Sequence, residues 1–470
     1  MAGGYHFRRA AAKVTAFARR RDRGYTRRMS ATHRRNPWWI PRFLGRVPAD
    51  IAAADLRLLG AVALALAYFN YDLAVAGQTI KFVREDFGLP QSEIGRLSAY
   101  FRLGAIPAFF AIPFADWLGR RRLFLGCVLG AAAFTGLTAL AQNIEQLIAL
   151  QICARVFVIT GIAQSYVIIA EELPAAHRGW GAGVLGAIAA VGVAFGAALF
   201  SFIDALPFGW RSLFAAAATA VFFIQSLRGR VRETDRFVRG RDEATSGGWL
   251  LDWLRPMQEL VVGYPLRTLA VVLIGGLTAA ASGPIFTLAS DYMLTDHGWT
   301  PGQYSLVFVG GGVLGILGNT VVGRLGDRFG RRLIGCAVFA AVTVCGRIFY
   351  SGSGWLLPLI WIPLVFAATG AGVITRNLAT ELFPTSARGT STGWLILLEA
   401  VGAGTALWAV TVLTPPGSSI APALTVVVLA ALVSAGLVLL LPETAGRELE
   451  QITEPPRNPD SGGADWKLSA

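Results

Sequence analysis

"VVGRLGDRFGRRL", residues 321–333, sets four arginines and one aspartate between two long apolar runs. Charge at that density is costly in hydrocarbon and is more than a plain turn requires. The same punctuation occurs earlier as "AIPFADWLGRRRL", residues 111–123, so that Asp116 and Asp327 lie 211 residues apart. Two more motifs keep almost the same interval. "EELPAAHRG" (171–179) and "ELFPTSARG" (381–389) both read E-x-x-P-x-x-x-R-G, which places Glu171 and Glu381, and Arg178 and Arg388, 210 residues apart. "RETDRF" and "PETAGRELE" place Glu233 and Glu443 at that interval again. Three motifs with one spacing describe an internal duplication.

The duplicated unit is a membrane unit. The 470 residues are 54% hydrophobic and 15% charged, and the mean hydropathy of +0.53 is beyond that of an ordinary water-soluble domain. Windows of about 19 residues give roughly twelve continuously apolar spans, from 56–80 to 420–441. Continuous rather than alternating apolar character argues for helices and against a strand barrel. Six spans per unit is an even number, so the two units run in the same direction as parallel repeats. The expected organisation is a basic tail (1–52), a six-helix bundle (53–230), a linker (231–264), a second six-helix bundle (265–441) and a tail (442–470). In the linker, Trp249, Leu250, Trp253 and Leu254 fall on one face of a helix suited to the membrane interface.

Alternate connections share a side of the membrane. One set holds residues 119–122, 175–179, 228–264, 326–332 and 385–389, all basic; the other is almost free of Lys and Arg, except for Lys81 and Arg84 after the first span. The positive-inside rule puts the basic set and both termini in the cytoplasm of a multi-pass protein of the cell (inner) membrane. Of the net charge of +13, much sits in residues 1–50. Three readings of that tail stand: a segment held near anionic lipid, a mis-assigned start with Met29 as the true one, and nucleic-acid binding. No fold-forming pattern supports the third, so no nucleic-acid partner is expected. Cys127, Cys153, Cys336 and Cys345 lie within spans and form no CxxC pair. No metal cluster, cofactor motif or GxxxxGK[ST] phosphate loop is visible, so neither an enzyme nor an ATP-driven pump is expected.

On these motifs the chain resembles the major facilitator superfamily from about residue 53 to 450. The loop signature G-x-x-x-D-R-x-G-R-R is complete as Gly323, Asp327, Arg328, Gly330, Arg331 and Arg332. The first half keeps Asp116, Gly119, Arg120 and Arg121 but has Ile112 for the first glycine and Trp117 for the arginine. The E-x-x-P-x-x-x-R-G pairs and the closing "PETAGRELE" resemble the sugar-porter-like branches, which include symporters of organic acids and metabolites. The resemblance implies an all-α membrane protein of twelve transmembrane helices in two pseudo-symmetric six-helix bundles. It implies a functional monomer, with a cavity between the first, fourth, seventh and tenth spans. It also implies a cytoplasmic gate in which each aspartate meets a helix start of the opposite half, where the dipole favours an anion. Simple positive-inside anchoring is the other reading of those turns.

Ionisable residues inside spans are functional candidates. The first span carries Tyr71 and Asp72, and the second carries Arg102, each roughly 10 Å deep at about 1.5 Å per residue. Asp72 and Arg102 are therefore expected to pair, either as a static tie or as a proton site. The tyrosine–aspartate–leucine run resembles symporters in which that aspartate is implicated in proton coupling. Arg155 and Gln164 lie on the fourth span, where the arginine offers bidentate geometry to an anion or packs against a carboxylate. Arg376 and Glu399, on the tenth and eleventh spans, read as a further pair. Small-residue faces, with Gly192 and Gly196 in one half and Gly311 and Gly315 in the other, permit close helix approach. The expected activity is alternating-access, proton-coupled symport of a small organic acid or metabolite. Export of amphipathic compounds, sugar–proton symport and a polytopic enzyme or sensor remain alternatives.

Overall fold

In the computed structural model the described residues are 37–40, 46–114, 118–231, 258–383 and 388–444. They form twelve membrane-length elements: α1 (Ala53–Gln78), α2 (Ile94–Arg102 and Ala105–Ala111), α3 (Arg120–Thr138), α4 (Ile144–Glu172), α5 (Arg178–Phe200), α6 (Trp210–Ala218 and Ala220–Arg230), α7 (Pro265–Asp291), α8 (Pro301–Phe329), α9 (Arg331–Ser351), α10 (Leu356–Glu381), α11 (Arg388–Leu413) and α12 (Ala421–Val427 and Ala430–Leu440). Among the described residues nine of these are long and apolar enough to cross a membrane alone. The other three are α2 and α6, each in two pieces, and α3, which opens on three arginines. Large apolar side chains remain exposed, Phe222, Leu306 and Leu440 among them. In water that would be a liability; in lipid it is the expected outer surface.

Local chemistry sets where helices start. Asn143 caps α4 by accepting from the Gln146 amide. Thr300 and Gln303 form a reciprocal capping box ahead of α8, with Pro301 at the first position. The two charged turns have matching geometry: Gly119 has φ 93° and Gly330 φ 99°, both in the region that favours glycine, immediately before α3 and α9.

The duplication is visible in the packing. Within the halves α1 packs on α5 and α7 on α11, α3 on α4 and α9 on α10; between halves α2 packs on α11 and α5 on α8, and α1 touches α7. The small-residue faces lie mostly inside the halves. A side chain at Gly192 would meet the Ala67 carbonyl at 1.9 Å, while those at Gly311 and Gly315 would meet Trp361 and Val365 at 2.4 and 2.6 Å. Gly196 is looser, with neighbours at 3.5 Å. The expected interfacial helix with Trp249 and Trp253, the residue Asp116 and most of both tails lie outside the described residues.

Candidate functional site

Three charged constellations lie among the described residues, one at mid-span and one at each end. At mid-span Asp72 is fully buried on α1. Its Oδ1 accepts a 2.6 Å hydrogen bond from Thr135 Oγ1 of α3, and its Oδ2 lies 3.4 Å from Arg155 Nη1 of α4. Arg102 is not its partner. Arg102 donates instead to Thr287 Oγ1 of α7, in the other half, at 3.1 Å. The reason is azimuth: counting residues fixes depth, but α1 packs against α4, α5 and α6, whereas α2 turns its face to α11 and α4. Gly104 lets Arg155 in closely, since a side chain there would meet the Arg155 Cβ at 2.5 Å.

Tyr71 donates to the Leu213 carbonyl of α6 at 2.7 Å, a tie between helices. Gln164 donates to the Ile112 carbonyl at 3.2 Å and leaves its own Oε1 without a partner. The expected Arg376–Glu399 contact is absent. Glu399 lies within electrostatic reach of both Arg376 and Arg102, yet makes no ion pair among the described residues. Tyr166 and Arg376 occupy equivalent positions of the repeat on α4 and α10, and both are exposed. Among the described residues Arg102, Arg155 and Arg376 thus face two carboxylates, Asp72 and Glu399, and make a single guanidinium–carboxylate contact.

At the basic end the repeat is again visible in geometry. Arg120 donates to Glu171 at 3.1 and 3.3 Å, and Arg331 donates to Glu381 at 2.9 and 3.3 Å. Asp327 meets Arg331 of its own turn at 2.7 Å and is 65% exposed. In this conformation, with the halves tied at the other end, it does not meet a helix start of the opposite half. The anion at a helix N-terminus is Glu443, which accepts from the Arg331 and Arg332 amides at 2.7 and 3.2 Å. Thr444 then donates to Glu381 at 2.6 Å, closing the chain of contacts within one half. Arg331 also donates to the Gly323 carbonyl at 3.4 Å, and Arg121 to that of Arg228 at 2.8 Å. Arg328 lies over the Phe329 ring and Arg178 is exposed. The Arg388 side chain lies outside the described residues.

The halves are tied at the opposite end. Arg84, after α1, meets Asp291 at the end of α7 at 3.2 Å, with both side chains buried. Gln91 donates to Asp291 at 2.8 Å and to Asp296 at 3.2 Å. The Arg96 amide donates to Thr411 at 2.7 Å, and Ser290 donates to the Gly77 carbonyl at 3.0 Å. Sequence reasoning missed this cluster, though one signal was present: Arg84 is an arginine in an otherwise Arg-poor set of connections.

Residues 60–407 and 269–467 match the family model of the Major Facilitator Superfamily. A cis,cis-muconate transport protein of Acinetobacter baylyi is 25% identical over 73% of this chain and 84% of its own length. A 4-hydroxybenzoate transporter of Pseudomonas putida is 23% identical over 78% of this chain and 88% of its own length. Among solved structures, the inward-open xylose transporter XylE from E. coli superposes with a TM-score of 0.67 at 18% identity, over 85% of this chain and 99% of that one.

Proposed function

Since the chain belongs to the major facilitator superfamily and is a multi-pass membrane transporter of small molecules, we propose that it carries a small organic acid together with a proton by alternating access. The basic end faces the cytoplasm, both termini lie there, and one chain suffices for transport. The observation that carries this reading is the buried Asp72–Arg155 pair at mid-span, with an excess of arginine around it. A carboxylate buried in a membrane protein is expensive to keep unless function requires it. A guanidinium in excess of its carboxylates fits a planar anion through bidentate hydrogen bonds. The muconate and hydroxybenzoate relatives move acids of that chemistry by name. The likeness to a xylose transporter concerns the fold alone.

In this reading Asp72 alternates between an ion pair with Arg155 and a protonated state, and the tied end around Arg84–Asp291 must part for the cavity to open outward. The test is Asp72→Asn, compared in two assays on the same proteoliposomes. Accumulation driven by a pH gradient is lost, while exchange of labelled for unlabelled substrate continues. Accumulation undiminished in the variant would move the proton site elsewhere, with Glu399 as the next carboxylate to replace.

A further inference from the structure

We propose that the chain just before α1, residues 37–40 and 46–51, is a strap that seats Trp38 in the membrane interface at the basic end of the first half, and that its partner there is an anionic phospholipid held by Arg46 and Arg57. This surface lies roughly 18 Å along α1 from Asp72, and nothing in it depends on which substrate is carried.

The strap is packed at both ends. Each end is a short turn: the Ile40 amide donates to the Pro37 carbonyl at 3.1 Å, and the Ile51 amide to the Pro48 carbonyl at 3.2 Å. Ile40 and Ile51 are buried in one apolar cluster with Val62 of α1, Leu185 of α5 and Val231 after α6. Asp50 pairs with His177, in the turn before α5, at 2.8 Å. Trp39 covers Gly60 of α1, where a side chain would meet its ring at 3.1 Å. Amid these fixed neighbours Trp38 is 95% exposed. A large ring held outward by packed neighbours gains nothing in water. An indole does gain at the boundary between headgroups and hydrocarbon, where its apolar body and its N–H are both served.

The level of Trp38 follows from α1. Between residues 57 and 66 the exposed positions of α1 are Arg57 and Leu64. They lie two turns apart on one face, with Gly60 between them. That face is turned away from the other half. A side chain at Gly77 would meet Thr287 of α7 at 4.0 Å, and Leu64 points about 140° away from Gly77 around the helix. An exposed leucine on such a face marks hydrocarbon, and an exposed arginine marks headgroups. Trp39, with Trp38 beside it, sits at the change from one to the other, roughly 10 Å beyond the start of α1 at Ala53. The charge there is positive. Arg46 and Arg57 are exposed and make no ion pair among the described residues. In the sequence, Arg and Lys crowd residues 1–50 with Asp22 and Asp50 alone against them. Basic side chains at that level attract anionic lipid. A nucleic acid matches the charge, but it does not reach an indole placed at the hydrocarbon boundary.

The experiment places a bimane fluorophore on Trp38→Cys in the full chain lacking Cys127, Cys153, Cys336 and Cys345, held in nanodiscs. Trp38 is exposed, so its replacement leaves the packing intact. The quenchers are aqueous iodide and, at equal mole fraction, phosphatidylglycerol or phosphatidylcholine with a nitroxide at the top of the acyl chain. Iodide quenches this label several-fold less than the same label on Gln142→Cys, an exposed site between α3 and α4. Both lipids quench it, phosphatidylglycerol at least about twofold more than phosphatidylcholine. Arg46→Gln with Arg57→Gln, two exposed replacements, brings that ratio down toward one while phosphatidylcholine still quenches. A label that iodide reaches as it reaches Gln142→Cys, and that neither lipid quenches, overturns the anchor. So does one that responds only to an added RNA oligonucleotide. Equal quenching by the two lipids in the parent chain overturns the anionic partner. A ratio unchanged by the two arginine replacements overturns the place proposed for its headgroup.

Discussion

The two ends of the bundle are held by different kinds of contact. At the basic end the described ion pairs run within each half: Arg120 to Glu171 in the first, Arg331 to Glu381 in the second. At the other end one buried pair runs between halves, from Arg84 to Asp291, with Gln91 alongside, next to an Arg211–Asp86 pair within the first half. The first set repeats with the sequence duplication; the second does not. The difference teaches which contacts serve each half as a rigid body and which must break when the halves rock. A contact inside a half can persist through the cycle, whereas the Arg84–Asp291 pair cannot survive opening of its end.

The largest effect is expected from Asp291→Asn. It takes the buried anion from Arg84 and leaves it only the half-exposed Glu85 at 3.5 Å, a loss of up to about 3–5 kcal/mol for the closed end. The reporter is Ser290→Cys in a chain lacking Cys127, Cys153, Cys336 and Cys345, since Ser290 is buried and bonded across the halves. Labelling by an impermeant thiol reagent from the outer side rises strongly when Asp291→Asn is added. Replacing Arg84 and Asp291 together with Met and Leu raises it less, because no charge is then left unpaired. Equal labelling in all three chains would mean this end is held by packing alone.

Gly95→Ala sharpens the same contrast through sterics. A methyl there would meet the Leu407 carbonyl of the other half at 2.2 Å, whereas Gly186 has open space around it. Gly95→Ala costs the closed state roughly 1–3 kcal/mol and increases labelling, while Gly186→Ala leaves it as it was. Reversed results would put the halves further apart at Gly95 than the geometry allows.

At the basic end Glu443→Gln removes the charge that α9 receives at its N-terminus, an effect of about 1 kcal/mol. It is read as a lower thermal midpoint with outer-side labelling unchanged. The smallest effect is Asp327→Asn. A pair across the turn between α8 and α9, in which Asp327 is exposed and Arg331 is already held by Glu381, contributes a few tenths of a kcal/mol. The prediction is a thermal midpoint within error of the wild type. Should transport still fall, Asp327 acts in the alternate conformation rather than in this one.

Much of this architecture was legible in the sequence because duplication repeats both identity and spacing. Glu171 and Glu381, Arg120 and Arg331, and Gly119 and Gly330 could be matched by counting, and they adopt matching contacts. Partners within the membrane were not legible. Asp72 and Arg102 share a depth, but depth does not say which way a helix is rotated, and Thr135 in an apolar run carried no mark of its role. Arg84 and Asp291 lie 207 residues apart, one in each half, with no equivalent pair in the repeat to reveal them. The role of Glu443 depends on a helix N-terminus 112 residues earlier, and only the fold brings the two together.

The most direct measurement is accumulation by the purified chain in proteoliposomes that contain no other protein and no ATP, with an inside-alkaline pH gradient imposed. The account predicts that a small organic acid, with benzoate, 4-hydroxybenzoate and cis,cis-muconate as the first three to try, concentrates inside above the external level. A protonophore returns it to equality. Uptake that stops at equal concentrations whether or not the gradient is present would contradict proton-coupled symport, even if the acid crosses quickly.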